Sequence, residues 1–462
     1  MKLFRSKKHF KFILAAALCT ATSLPAWSTE STVTNQAPAW LSGPLSLAET
    51  MNLALKQNGN ILRGQSNLEA AYGLVVQTRA VALPVIRSTG NFTFNAATEN
   101  FPVFGAPIFV TFPDKSWAAN IQIIQSVYEG GRITSALRSA KLTKEQALLQ
   151  YQTVVADALL QVRVAYYDIL QAEEQIVVEE ASVKLLTQEL QDQTKRYEAG
   201  TVPRFNVLRA EVSVANERPR LIQARNAYRI SKNNLVNLLG YRVPPTVSED
   251  IPLTLTDKLD AEPYEINLPV AVAKALQNRS ELAALQKTES LRNEDVISAK
   301  AGYKPSVQAF AGYSGRNTQF SDDLGRVVNG AQAGIQFTWN IWDGWLTKGR
   351  VQQAQAQHQG AMVDVDNETR NIELEVRTQY SNFIQARETL ESQKKVQEEA
   401  EEALRLATAR SEAGTGTQLD VLQAETSLTT ARSTLVQALH DYDVARARVE
   451  RAMGINIMQS NK

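Results

Sequence analysis

After the first 28 residues the chain holds two histidines, His358 and His440, and no cysteine. Both histidines fall on helical patterns far apart in sequence. Neither has an i+4 partner or a cluster of Cys, His or carboxylate at metal-ligand spacing. No glycine-rich phosphate loop is present, and the glycines sit at turns. No catalytic residue, metal site or cofactor can be nominated, so the expectation is a protein that catalyses nothing. The acidic side chains whose positions carry meaning are Glu129 and Asp343, each just before a helical stretch, and Asp420, at the start of another. A carboxylate there accepts unpaired backbone N–H groups and meets the positive end of the helix dipole.

The first residues read as an export signal. Lys2, Arg5, Lys7, Lys8 and Lys11 precede the apolar run Phe12 to Leu18, and Ala26-Trp27-Ser28 offers a small-x-small cleavage pattern. A lipid anchor on Cys19 is an alternative, against which stands the large Leu18 before it. Loss of five basic and no acidic residues with the leader takes the formal charge from +1 to −4. That excludes the basic surplus of a nucleic-acid binder. No later run is apolar enough for a spanning helix, so any membrane crossing requires a closed β-barrel.

The elements that must carry these residues come in two copies. Arg196-Tyr197-Glu198-Ala199-Gly200-Thr201 recurs as Arg410-Ser411-Glu412-Ala413-Gly414-Thr415, a shift of 214 residues. The same shift takes Tyr128-Glu129-Gly130 to Trp342-Asp343-Gly344, Val207-Leu208 to Val421-Leu422, and Gly240 to Gly454. Upstream, Ala54-Leu55 and Pro84 match Ala275-Leu276 and Pro305 at a shift of 221. The organisation read from this is a signal peptide at 1–28, a tail at 29–44, repeat 1 at 45–262, repeat 2 at 263–456, and a tail at 457–462.

Within each repeat, period-two stretches predict a β-hairpin, at about 86–128 and about 305–342. Ala333, Ile335, Phe337, Trp339 and Ile341 alternate with Gln332, Gln336, Thr338 and Asn340, a strand with one apolar and one wetted face. The connections near 97–116 and 315–330 are loop-like. No proline interrupts 131–199 or 345–413, which predicts helices reaching roughly 100 Å. Returning helices follow tips at about 200–206 and 414–420. Leu428, Ala431, Leu435, Ala438, Tyr442, Ala445, Val449 and Ala452 form a heptad seam, and Pro219 predicts a kink or break.

Four strands cannot close a barrel, and open edges are not tolerated in lipid. Several chains must therefore pool their strands; three give twelve. The fold class expected is mainly α with a transmembrane β-barrel, built from a duplicated helix–β-hairpin–helix-hairpin unit. With Tyr128-Glu129-Gly130-Gly131-Arg132, Trp342-Asp343-Gly344 and the Arg-x-x-x-Gly-Thr…Asp-Val-Leu-x-Ala segment at 410–424, the chain resembles TolC-like outer-membrane efflux and secretion ducts. The resemblance implies a homotrimer with a twelve-stranded barrel in outer-membrane lipid and a long α-helical tunnel in the periplasm. It implies as partners a periplasmic adaptor and an inner-membrane pump, for small-molecule efflux or type I protein secretion.

The resemblance also assigns residues. Gly200, Thr201, Val202 and Pro203, with Gly414, Thr415, Gly416 and Thr417, become adaptor-docking tips as well as helix terminators. Asp420 becomes a carboxylate of an acidic ring at the entrance, where its other reading is a solvated first-turn Asp. The family's companion carboxylate is Gln423 here, its gate positions fall on Gly416 and Ser411, and its first-copy carboxylate on Asn206. The entrance is then held by weaker polar contacts or by hydrophobic contacts of Phe205. Glu129, Gly130, Gly131, Asp343 and Gly344 are read as structural strand-to-helix turns. A rival reading is a periplasmic coiled-coil scaffold without a pore.

Overall fold

The computed structural model describes residues 43–94, 114–243, 250–317 and 323–455. The expected signal peptide, the tails at 29–42 and 457–462, and the centres of both hairpin loops lie outside the described residues.

Tertiary structure follows the duplication. α1 (Leu47–Gln57) and α2 (Gly59–Ala80) lead through β2 (Val85–Phe94) and β3 (Lys115–Glu129) into α3 (Arg132–Glu198) and α4 (Arg204–Leu238). The second copy repeats this as α5 (Leu268–Asn278), α6 (Ser280–Lys300), β5 (Ser306–Asn317), β6 (Val327–Thr338), α7 (Leu346–Glu412) and α8 (Gln418–Ala452). Two short strands, β1 (Pro44–Leu45) and β4 (Thr254–Leu255), pair in parallel. α3 and α7 have 67 residues each, about 100 Å at 1.5 Å per residue. Among the described residues no helix is long and apolar enough to cross a membrane.

The four long strands form one antiparallel sheet in the order β2-β3-β5-β6. Directly paired residues share a face. One face therefore carries Ile86, Phe92 and Phe94 of β2, Trp117, Ile121 and Ile123 of β3, Tyr313 of β5, and Ile335 and Phe337 of β6. The opposite face carries Arg87, Thr89, Asn91, Asn120, Gln122, Gln308, Ser314, Gln332 and Gln336. On that polar face Phe310 covers Gly334, where an added Cβ would stand 2.8 Å from its ring. β6 ends at Thr338, so the alternation over 339–342 continues beyond the strand as irregular chain.

Helix packing extends the four-wide layer. Next to the sheet the lateral order is α2-α3-α6-α7; farther along, α4 replaces α2 and α8 replaces α6, giving α4-α3-α8-α7. Around the middle, α1 with β1 and β4 covers α3 and α4, burying Met51, Ala54, Tyr166, Ile169, Leu235 and Leu239. The second copy buries Ala271, Ile372, Val376, Phe383, Tyr442 and Val449, using much of the α8 heptad seam. α4 continues through Pro219 as a single helix, so of the expected kink or break, the break does not occur. Pro219 lies on an exposed face, where the carbonyl it leaves unpaired can be hydrated.

The helix ends explain why glycine recurs at the 214-residue spacing. Gly200, Gly240, Gly414 and Gly454 all have φ between 66° and 76°. Each supplies the left-handed residue of a C-terminal cap, with Thr201 N donating to Arg196 O and Tyr241 N to Val236 O. A Cβ on Gly200 would meet nothing within 4 Å, whereas one on Gly240 would stand 2.1 Å from Gln57 O. Both alanine substitutions carry the positive-φ cost of roughly 1 kcal/mol. Gly240→Ala adds a backbone clash and is expected to cost about 2 kcal/mol more than Gly200→Ala. The thermal midpoints of the two purified variants measure the difference; equal midpoints would show that the α1–α4 contact gives way.

Candidate functional site

The two helical tips lie at the end of the molecule farthest from the sheet. Tip 1 closes with Gly200 at φ 74° and tip 2 with Gly414 at φ 73°. Thr201 and Thr415 each donate through backbone N–H and side-chain hydroxyl to the carbonyls of Arg196 and Arg410. The turns are thus built for helix termination in both copies. The starts of the returning helices differ. Pro203 begins α4 with no side-chain cap, while Thr417 and Asp420 form a reciprocal capping box at α8.

Within that box Asp420 Oδ2 accepts from Thr417 N at 2.9 Å, and Thr417 Oγ1 accepts from Asp420 N at 3.3 Å. These hydrogen bonds, with a smaller contribution from the Arg410 charge, hold the exposed Asp420 carboxyl below its usual range. Asp420 is therefore ionised at neutral pH and fixed in direction, with its second oxygen available. The bonds also require it to cap the helix, so capping and the presentation of charge coexist. Gln423 is exposed one turn on. Gly416 packs where an added Cβ would stand 3.1 Å from Arg410 Cβ and Ser411 N, so a side chain there would displace the turn. Ser411 accepts from Gly414 N through its carbonyl.

The tips touch each other through Gln418 Nε2, which donates to the Asn206 carbonyl at 3.3 Å. Phe205 is 62% exposed, and the Arg209 guanidinium stands 5.0 Å from its ring centre. Phe205 thus makes no hydrophobic lock within the chain. Its ring is offered outward, on the same helix as exposed Leu208 and Val212. Val202 is half-buried and Pro203 exposed.

At the other end, the strand-to-helix turns differ from the simple capping expectation. Asp343 Oδ2 accepts from Thr347 N at 2.9 Å and also from the Thr347 hydroxyl, as a cap should. Glu129 instead takes the Arg132 guanidinium, with Nε at 2.6 Å, and binds no helix N–H. Its extra methylene carries the carboxylate past the amides to the nearby cation. Gly130, Gly131 and Gly344 have φ of 65°, 107° and 66°. Trp345 replaces Gly131 in the second copy yet also adopts a positive φ, 69°. Its indole is exposed, as are those of Trp339 and Trp342 nearby in sequence, with Lys348 Nζ 4.8 Å from the Trp345 ring centre. Such an aromatic cluster at the end of an apolar strand face suits a membrane–water boundary.

Between these ends runs a seam not expected from the sequence. α3 meets α8 mainly through a ladder of polar pairs, with Leu186 and Leu422 in apolar contact toward the tips. Arg451 joins Asp157 and Arg163 joins buried Glu450. His440 Nε2 meets Asp168 at 2.8 Å, Gln171 meets Gln437, Gln175 donates to Ser433, and Thr429 donates to Ser182. His440 is therefore an inter-helix bridge with a side chain only 12% exposed. His358 likewise bridges to Glu289, at 2.6 Å. The signal was present: Thr429, Ser433, Gln437 and His440 repeat at three or four residues, as do Asp168, Gln171 and Gln175 opposite. Among the described residues no group of three His, Cys, Asp or Glu is placed to hold a metal ion.

The geometry is that of known outer-membrane channels. A family model described as "Outer membrane efflux protein" matches residues 50–241 and 271–455, one segment in each repeat. The chain is 23% identical over 435 residues to outer membrane protein TolC of Escherichia coli, spanning 90% of this chain and 84% of that protein. It is 24% identical over 421 residues to the cobalt-zinc-cadmium resistance protein CzcC of Cupriavidus metallidurans, spanning 90% and 92%. Among solved structures, the outer-membrane channel OprN superposes with a TM-score of 0.74 at 19% identity, covering 89% of this chain and 90% of that one. VceC of Vibrio cholerae gives 0.72 at 18%, covering 88% and 96%. The sheet accordingly lies in the outer membrane, the helices extend into the periplasm, and the chain belongs to the outer membrane efflux protein family.

Proposed function

We propose that three copies of this chain close into a passive exit duct, through which substrates handed over by an inner-membrane pump and a periplasmic adaptor leave without chemical change. The observation that carries this reading is the pair of free edges. β2 and β6 bound the sheet, and α7 bounds the helical layer opposite α2 and α4. A membrane-facing sheet cannot keep such edges in lipid. Pairing β2 of one copy with β6 of the next, with α2 and α4 beside the neighbour's α7, is a head-to-tail contact that closes as a ring. Three copies of four strands make twelve, an even number within the known barrel range.

The helix edges support the same closure. On α4, Phe205, Leu208, Val212 and Ile222 recur near heptad spacing and are exposed; on α7, Val396 and Leu406 are exposed. Within one chain these side chains have no apolar cover, and a neighbouring copy supplies it. With the apolar sheet face outward, the duct is lined by the glutamines, asparagines and serines of the other face. That lipid-suited row also distinguishes the duct from a scaffold without a pore.

At the tips, three Asp420 carboxylates would ring the entrance, each held ionised by its own capping box. Rings of carboxylate select cations. Asp420→Asn is expected to lower the cation-to-anion permeability ratio severalfold and weaken block by multivalent cations in planar-bilayer recordings. Unchanged selectivity would leave Asp420 as a helix cap alone. The tips are read as adaptor-docking points because both copies expose the same glycine-threonine turn. Replacing 414–417 by a helix-terminating turn of other sequence is expected to abolish export in cells while trimers persist by gel filtration. Normal export would remove the docking role.

A further inference from the structure

The lower seam has too many acceptors. Among the described residues seven buried side-chain oxygens lack a hydrogen-bond partner, and five belong to one region: Glu179 Oε2, Gln193 Oε1, Glu217 Oε1, Gln418 Oε1 and Glu425 Oε2. They lie on α3, α4 and α8 from the lower end of the polar ladder, where Glu179 sits, towards the tips, around the small apolar cluster of Leu186, Val214 and Leu422. Glu179, Gln193, Glu217 and Glu425 are 6%, 3%, 7% and 4% exposed. Unpaired buried acceptors are costly. Carboxyl groups can cure the shortage themselves, because a protonated carboxyl is a donor.

We propose that this seam is a proton-operated latch: the proton taken up by Glu425 of α8 holds the α7–α8 hairpin against the α3–α4 hairpin, and its loss lets the two part. The consequence at the entrance rests on the duct reading; the latch itself does not.

Each group faces surroundings that favour its protonated form. Burial, and then the Glu189 charge on α3, push the Glu425 carboxyl up to about 7. Glu189 is held by Gln193 Nε2 at 2.8 Å. Val214 on α4 brings no charge, and on α7 Glu401 is occupied by Arg432 and Glu402 by Arg405. For Glu179, burial and then the opposing Glu217 of α4 outweigh the Gln175 amide and the Arg220 charge, raising its pKa. Gln175 also donates to Ser433 of α8, so this pair, internal to the first hairpin, adjoins the seam.

Higher in the ladder the same sign recurs. Burial alone would lower the His440 pKa, but hydrogen bonds to Asp168 and Asp441 outweigh it and raise the pKa. Burial pushes Asp443 up to about 7 despite Arg446, Arg163 and His440, with Asp260 adding to the rise. A group whose pKa is raised by packing stabilises the packed state fully below its ordinary pKa. It loses that contribution as pH climbs through the raised value. For Glu425 the window runs from its ordinary 4.5 to about 7. The seam is therefore tightest in mild acid and loosest above neutrality.

Amide hydrogen exchange of the full-length assembly in detergent, read on peptides covering 179–193 and 418–432 and corrected for intrinsic exchange rates, tests this. Between pH 5 and pH 8 the seam-opening constant is expected to rise by about a hundredfold. Glu425→Gln, which keeps a neutral side chain at all pH, should cut that rise to tenfold or less. Glu189→Gln removes only the opposing charge and serves if the first variant does not assemble; its rise should be smaller than wild type. A flat wild-type profile, or variants that match the wild-type rise, would overturn the latch. Conductance of the same samples in bilayers reports separately on the duct, so a closed seam with normal current, or an opening seam with none, identifies which reading has failed.

Discussion

A backbone N–H or C=O left unpaired in lipid costs several kcal/mol, and this chain ends its sheet on two rows of them. That single constraint organises the molecule. It requires that both edges find strand partners and fixes the direction in which apolar side chains must point. It also sets the width of the helical layer below. Because every strand continues into a helix or receives one, a four-stranded segment dictates a four-helix segment. α3 and α7 run the full length, with α2 and α6 beside them near the membrane and α4 and α8 beyond.

Duplication makes the solution economical, and its imperfections carry the information. Helix lengths, cap glycines and tip turns coincide between copies, because each repeats the same unit. Where the copies differ, local demands differ. The Thr417–Asp420 box stands opposite the uncapped Pro203, so one tip of each pair presents a fixed negative charge and the other a rigid entry. Trp345 stands where the first copy has Gly131, accepting a strained backbone to place an indole at the edge of the apolar band.

Much of this was legible in the sequence, because it depends on local rules. Period-two alternation, the absence of proline over long stretches, and glycine at fixed spacing are each dictated by backbone geometry. What escaped was set by neighbours distant in sequence. Glu129 was expected on helix amides but found a cation one turn on. Pro219 was expected to kink or break α4, and the helix runs through it unbroken, with the proline on an exposed face. His440 and Glu450 occupy positions that look like a solvated helix face. Only the approach of α3, with Asp168 and Arg163, turns that face into an interface. A seam of Gln, Ser and Thr is compatible with water or with a polar partner, and periodicity alone does not separate the two.

The choice of a polar seam between α3 and α8 has a mechanical meaning. Each buried Leu in its place would stabilise the contact by roughly 1.5–3 kcal/mol, and several in a row would fuse the hairpins permanently. A hydrogen bond exchanged for water contributes only about 0.5–1.5 kcal/mol net, since the separated groups are solvated again. Within each hairpin the heptad seams are apolar, around Phe383, Tyr442 and Val449, and those helices should move as one body. Between hairpins the neutral Gln, Ser and Thr bonds toward the tips are individually weak and replaceable by water, while the Arg163–Glu450 and Arg451–Asp157 ion pairs farther up are stronger. Strength there depends on how many are made at once, and on whether the carboxyls among them carry their protons. The proposed duct, opening at one end while its barrel stays closed, would need this gradient. It is rigid where lipid surrounds it and at each coiled coil, and separable along the line where the coils meet.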